Sequence, residues 1–219
     1  MKALSFSAKL IVISTLLSVI PLANSEPYPA AKSSLLSRFS VVPHIGISQA
    51  DIETDSAISS SNQPEFNATL NYGLAVEYSV LSWLRFEMDY TRHRESETSK
   101  QRDIAGKYNN SLTSHVIASG LQIETFQYHE THLYIKGGAL LYDASLKVKE
   151  YFDGVYSSGE ASASDRGQGY YAGIGLYHPL DDDIQLMLSV NHQRLSDMFD
   201  GSARAFDIRY NSLMIGLAF

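Results

Sequence analysis

The last ten residues, YNSLMIGLAF (Tyr210–Phe219), place Leu213, Ile215, Leu217 and Phe219 at every second position up to the terminal carboxylate. Period-two alternation is the mark of a strand whose two faces meet different surroundings. The end of a soluble domain usually trails into water. An apolar face that persists to the final residue calls for an apolar solvent there.

The same pattern recurs upstream. FSVVPHIGIS puts Phe39, Val41, Pro43, Ile45 and Ile47 on one face and Ser40, Val42, His44, Gly46 and Ser48 on the other. TLNYGLAVEYSV sets Leu70, Tyr72, Leu74, Val76, Tyr78 and Val80 against Asn71, Gly73, Ala75, Glu77 and Ser79. LRFEMDY alternates Leu84, Phe86, Met88 and Tyr90 with Arg85, Glu87 and Asp89. A less regular strand carries Ile117, Leu121 and Ile123, and three more carry Leu133/Ile135/Ala139/Leu141, Tyr170/Ala172/Ile174/Leu176 and Ile184/Leu186/Leu188/Val190. With the terminal segment these predict eight strands, and helical periodicity is not seen.

Connection lengths alternate too. Residues near 80–83, 124–131 and 178–183 read as short turns, whereas 49–67, 93–110, 144–167 and 194–204 read as longer loops rich in Ser, Asp, Glu, Asn and Lys. Short turns at one end and long polar loops at the other are the asymmetry of a barrel in a bacterial outer membrane, with both termini on the periplasmic side.

At the other end of the chain, Lys2 and Lys9 precede an apolar run around Leu10–Leu22 that stops at Ala23-Asn24-Ser25. The run is short of the ~20 residues a spanning helix needs, so it reads as a signal peptide, residues 1–25, cleaved after Ser25 and routed through the Sec pathway. Residues 26–38 then form a periplasmic N-terminal segment and 39–219 the barrel domain. Losing Lys2 and Lys9 takes the formal net charge from −7 to −9, which argues against nucleic acid as a partner. The absence of cysteine removes disulfides, thiol nucleophiles and thiolate metal sites.

A soluble barrel hides its apolar face and a membrane barrel displays it, so residue size decides the orientation. The polar faces carry Gly46, Gly73, Ala75, Gly138, Gly173, Gly175 and Gly216. Glycine weakens a strand turned to water, but the lumen of an eight-stranded tube has room for little more. Arg85 or Lys136 turned to lipid near mid-membrane would cost about 2–4 kcal/mol each. Turned inward, they can meet Glu77, Glu87 and Asp89. These five form the expected lumen charge network, with Glu77 and Arg85 close across the turn at 80–83.

The C-terminal alternation ending in phenylalanine resembles the assembly signal of outer-membrane proteins, with Leu213, Ile215, Leu217 and Phe219 at its apolar positions. Taken with the leader and with strands such as VVPHIGIS and LYIKGGALLYDA, the chain resembles the small outer-membrane β-barrels that include the OmpA membrane domain and OmpX. The likeness covers Phe39–Phe219 and implies an all-β, eight-stranded antiparallel transmembrane up-and-down barrel, handled during biogenesis by the barrel-assembly machinery. Outer-membrane lipid and lipopolysaccharide are the implied surroundings. The peptidoglycan-binding domain of longer relatives has no counterpart in the likeness, so envelope tethering is not implied.

None of the seven histidines has serine two positions later, the arrangement of the lipid A deacylase of this architecture. Omptin-like proteases need larger barrels. His129-Glu130-Thr131-His132 is not a His-Glu-x-x-His helix motif. Asp181-Asp182-Asp183 reads as turn chemistry, and Asp51, Glu53 and Asp55 lack the glycine and downstream glutamate of a calcium loop. The expectation is a non-enzymatic barrel without cofactor, metal or catalytic residues. Its lumen is plugged, and its long loops serve a structural or adhesion-type role toward an extracellular ligand. The rivals are a narrow porin-like channel and a lipid A-modifying enzyme.

Overall fold

Alternating side-chain character becomes alternating burial. In β1 (Phe39–Glu53), Val42, His44, Ser48 and Ala50 are enclosed, while Phe39, Val41, Ile45 and Ile47 lie on the outer surface. The computed structural model describes residues 38–53, 66–98, 101–102, 106–152, 158–199 and 205–219. The expected signal peptide with Ala23 and Ser25, all of the segment 26–38 except Arg38, and Asp55 lie outside the described residues.

The remaining barrel strands are β2 (Thr69–Leu81), β3 (Leu84–Glu97), β4 (Gly106–Tyr128), β5 (Thr131–Phe152), β6 (Ser158–Pro179), β7 (Gln185–Met198) and β8 (Phe206–Ala218). A two-residue strip, Gln101–Arg102, adds to the outer end of β4. Each strand pairs antiparallel with the next, and β1 pairs with β8, so the sheet closes on itself. Closure follows from the solvent: hydrocarbon offers no partner to an unpaired N–H or C=O. The seam runs from His44↔Gly216 to Glu53↔Asp207. It extends to the terminus, where Phe219 N donates to Val41 O at 3.1 Å and Val41 N to Phe219 O at 3.2 Å.

The outward apolar band in β1, Phe39–Ile47, matches the ~9–11 residues that a tilted strand needs to cross hydrocarbon. It continues round the ring through Leu74, Met88, Ile117, Leu141, Ile174, Val190 and Ile215, all exposed. A spin label at Leu74, which is 45% exposed, is therefore expected to show strong broadening by lipid-dissolved oxygen. Protection from oxygen there would mean that the barrel is inside out.

Two differences from the sequence reading have physical causes. The sequence predicts a turn over 124–131, but strands run on to Tyr128 and resume at Thr131, leaving His129-Glu130 as a two-residue connection. His129 has φ of 53°, the left-handed backbone that tight hairpins require. The sequence predicts loops over 93–110 and 144–167, yet β3 reaches Glu97, β4 starts at Gly106, β5 reaches Phe152 and β6 starts at Ser158. Above the membrane both faces of a sheet meet water, so polar composition there mimics a loop while the backbone stays paired.

Candidate functional site

Inward side chains fill the lumen in successive levels. At the periplasmic level, Arg85 Nη1 lies 3.1 Å from Glu77 Oε2, and its guanidinium covers the Tyr177 ring at 4.9 Å. The Tyr177 hydroxyl donates to the other Glu77 oxygen. Glu124 and His132 form a second pair at this mouth, 2.6 Å apart. The diagonal Glu77–Arg85 contact follows from the register, which sets Ser79 opposite Arg85 and Glu77 opposite Glu87.

That register places two buried carboxylates face to face, an arrangement that is repulsive without counter-charge. Glu77 is held by Arg85. Glu87 is held by Lys136, whose Nζ sits 3.1 and 3.0 Å from its two oxygens, and the Tyr171 hydroxyl donates to Glu87 Oε1 at 3.3 Å. Lys136 comes from β5 and Glu87 from β3, so this pair spans a chord of the tube. Asp89 is part of neither pair. Thr91 Oγ1 donates to its Oδ2 at 3.0 Å, and His44 Nε2 stands 3.6 Å from Oδ1.

Further outward the contents become neutral. His93 lies between Gln193 Oε1 and the Ser48 hydroxyl, each at 3.0 Å. An amide carbonyl only accepts, so His93 Nε2 carries the proton and Nδ1 accepts from Ser48. The imidazole stacks on Tyr210 at 4.0 Å between centroids, and Tyr210 meets Ser114 at 2.9 Å. Beyond Tyr210 lies an apolar cap of Ala50, Phe66, Leu112, Leu195, Met198 and Ile208, each no more than 2% exposed.

Sequence reasoning singled out the five charges but not His44, His93, Gln193, the three tyrosines or the cap. Their inward parity along each strand was the available signal; their mutual contacts were not readable. The inward glycines make the space. A Cβ at Gly175 would strike the Tyr134 hydroxyl, and Tyr134 itself stacks on Tyr177 at 5.0 Å. Gly175→Leu is expected to expel Tyr134 and abolish the folded, heat-modifiable band on electrophoresis, whereas Ala172→Leu on the outward face should leave it.

At the extracellular rim, outward cations are paired with carboxylates: Arg166 with Asp143 at 2.7 Å, Arg194 with Asp207 and Glu53, and Arg209 with Glu53. Hydrogen bonds to Asp207 and Tyr170 raise the Arg194 pKa above its ordinary value, so this rim charge is fixed. No group of three or more metal-ligating side chains occurs among the described residues.

A closed ring of eight up-and-down strands, apolar outside and filled with charge and aromatic groups within, defines an outer-membrane β-barrel protein. The outer membrane protein beta-barrel domain matches residues 15–219, and the chain belongs to that family. It therefore resides in the outer membrane, among outer-membrane lipid and lipopolysaccharide. Neisserial surface protein A is similar in fold, with 13% identity, a TM-score of 0.50, and coverage of 82% of this chain and 95% of that one. Ail, the attachment invasion locus protein of Yersinia pestis, is 14% identical with a TM-score of 0.46 over 82% of this chain and 98% of its own. OprG from Pseudomonas aeruginosa is likewise 14% identical, TM-score 0.46, over 82% and 94%. At such identities the likeness is one of fold alone. No curated protein matches the chain.

Proposed function

We propose that this barrel is a non-conducting, non-enzymatic surface protein whose work is done above the membrane by an extension of β4–β6. The observation that supports this is strand length. From the top of the apolar band, β5 continues from Leu141 to Phe152 and β6 runs from Ser158 to Tyr170. At ~3.3 Å per residue, the extension is roughly 35–40 Å along the strand. Many of its side chains, such as Lys147, Glu150, Glu160 and Ser162, are exposed. A paired sheet standing in water presents backbone and side chains in a fixed arrangement, which suits recognition better than a free loop.

The filled lumen is assigned the role of plug. Its five charges, Glu77, Arg85, Glu87, Asp89 and Lys136, stabilise the tube, and the apolar cap in series with them repels ions by excluding water. Planar-bilayer recording is expected to show no steady conductance for the protein, and none for Arg85→Ala, because the cap is untouched. A stable open channel in either would favour the porin-like reading. The lipid A-modifying alternative predicts altered lipid A mass on expression, and an unchanged mass spectrum is expected. Replacing residues 147–162 by a short turn should remove surface binding to host-cell or matrix preparations while the heat-modifiable barrel remains. Retained binding would relocate the function.

The terminal residues Leu213, Ile215, Leu217 and Phe219 are proposed as the assembly signal, and residues 1–25 as the export signal.

A further inference from the structure

The basic residues at the rim are not distributed alike. On the β5–β6 and β7–β8–β1 sides each outward arginine faces a carboxylate, but Arg92 and Arg94 of β3 are exposed and make no ion pair among the described residues. They lie two apart on one face, so their Cα atoms are ~6.5–7 Å apart. Register puts Tyr72, Arg92 and His115 in one transverse row across β2, β3 and β4. Tyr90, one outward position below Arg92, has its hydroxyl 2.8 Å from His115 Nδ1, and Nε2 makes no hydrogen bond among the described residues. Asp143, opposite His115 on β5, is engaged by Arg166. Glu95, at the bulge beyond Arg94, is exposed and forms no ion pair among the described residues.

This row stands directly above exposed Met88, Tyr90 and Ile117 of the apolar band. Two guanidiniums without a carboxylate partner just above the apolar band suit an anion that is itself held at that depth. Arginine binds phosphate bidentately through its planar fork, and acyl chains attached to the phosphate would lie along the apolar strip below. We propose that the outward face of β2–β3–β4 is a site for one phosphorylated glycolipid of the outer leaflet, with Arg92 and Arg94 on its phosphates, His115 donating from Nε2, and Met88 and Ile117 against its acyl chains. This rests on the orientation in which the apolar faces of the strands are turned to lipid.

The test is native mass spectrometry of the full-length barrel with purified bis-phosphorylated lipid A, with enzymatically dephosphorylated lipid A, and with inorganic phosphate as competitor. The protein is expected to retain the phosphorylated lipid about tenfold more tightly, the scale of one or two charge-assisted hydrogen bonds. Arg92→Gln/Arg94→Gln should lose that preference, while Arg194→Gln/Arg209→Gln should keep it. Equal retention of both lipids, or an unchanged preference in the Arg92/Arg94 variant, overturns the site. Full displacement by millimolar inorganic phosphate overturns the glycolipid assignment in favour of a simple anion site. Both arginines are exposed, so folding is checked by the heat-dependent mobility shift. A spin label at Leu74 separates the two readings: oxygen-accessible Leu74 without phosphate preference sinks this site alone, whereas inaccessible Leu74 sinks the orientation beneath it.

Discussion

Lys136→Ala is expected to cost about 3–5 kcal/mol of stability, because it leaves Glu87 buried without its counter-charge. Lys136 is 9% exposed and Glu87 1%, and the ammonium contacts both carboxylate oxygens at 3.0–3.1 Å. The loss is aggravated by register: Glu77 lies directly opposite Glu87, so a second carboxylate faces the orphaned one. Lys136→Met combined with Glu87→Gln removes both charges together and should recover most of the difference, since the cost lies in the unpaired ion more than in the missing attraction. Urea-induced unfolding in lipid vesicles, followed by tryptophan fluorescence from Trp83, measures both variants. If the single and double variants unfold at the same urea concentration, the pair does not hold the barrel together.

Leu195→Ala carries the second large expectation, about 2–5 kcal/mol. Leu195 is fully enclosed in the cap with Leu112, Met198 and Ile208, and truncation leaves a cavity that neighbouring strands cannot close because the ring fixes their spacing. Leu74→Ala is the internal control. Leu74 faces outward, where fluid acyl chains fill the vacated space, so the cavity component disappears and the loss should be clearly smaller. A larger loss at Leu74 than at Leu195 would show that the apolar cluster is not a packed cap.

Legibility differed sharply between the fold and the site. The strands could be read because period two is a property of each residue's own geometry: FSVVPHIGIS states its two faces without reference to any other segment. The outward or inward assignment was also legible, since Gly73, Gly175, Arg85 and Lys136 share the parity that only a narrow lumen accommodates. The upper halves of β5 and β6 were not legible. Residues such as Lys147, Lys149, Glu160 and Ser162 stand where both faces meet water, so alternation vanishes although the ladder continues to Tyr151↔Ser158.

What the amino-acid sequence determined by itself was the barrel: eight alternating segments, their parity, and a last strand apolar to Phe219, all consequences of local backbone geometry meeting lipid on one side. What only the tertiary structure decided was who meets whom inside. Glu87 of β3 takes Lys136 of β5, Glu77 of β2 takes Tyr177 of β6, and His93 of β3 takes Gln193 of β7. These partners sit on non-adjacent strands, 49 to 100 residues apart. Their levels are set by the stagger accumulated around the closed ring, a quantity that no single segment encodes.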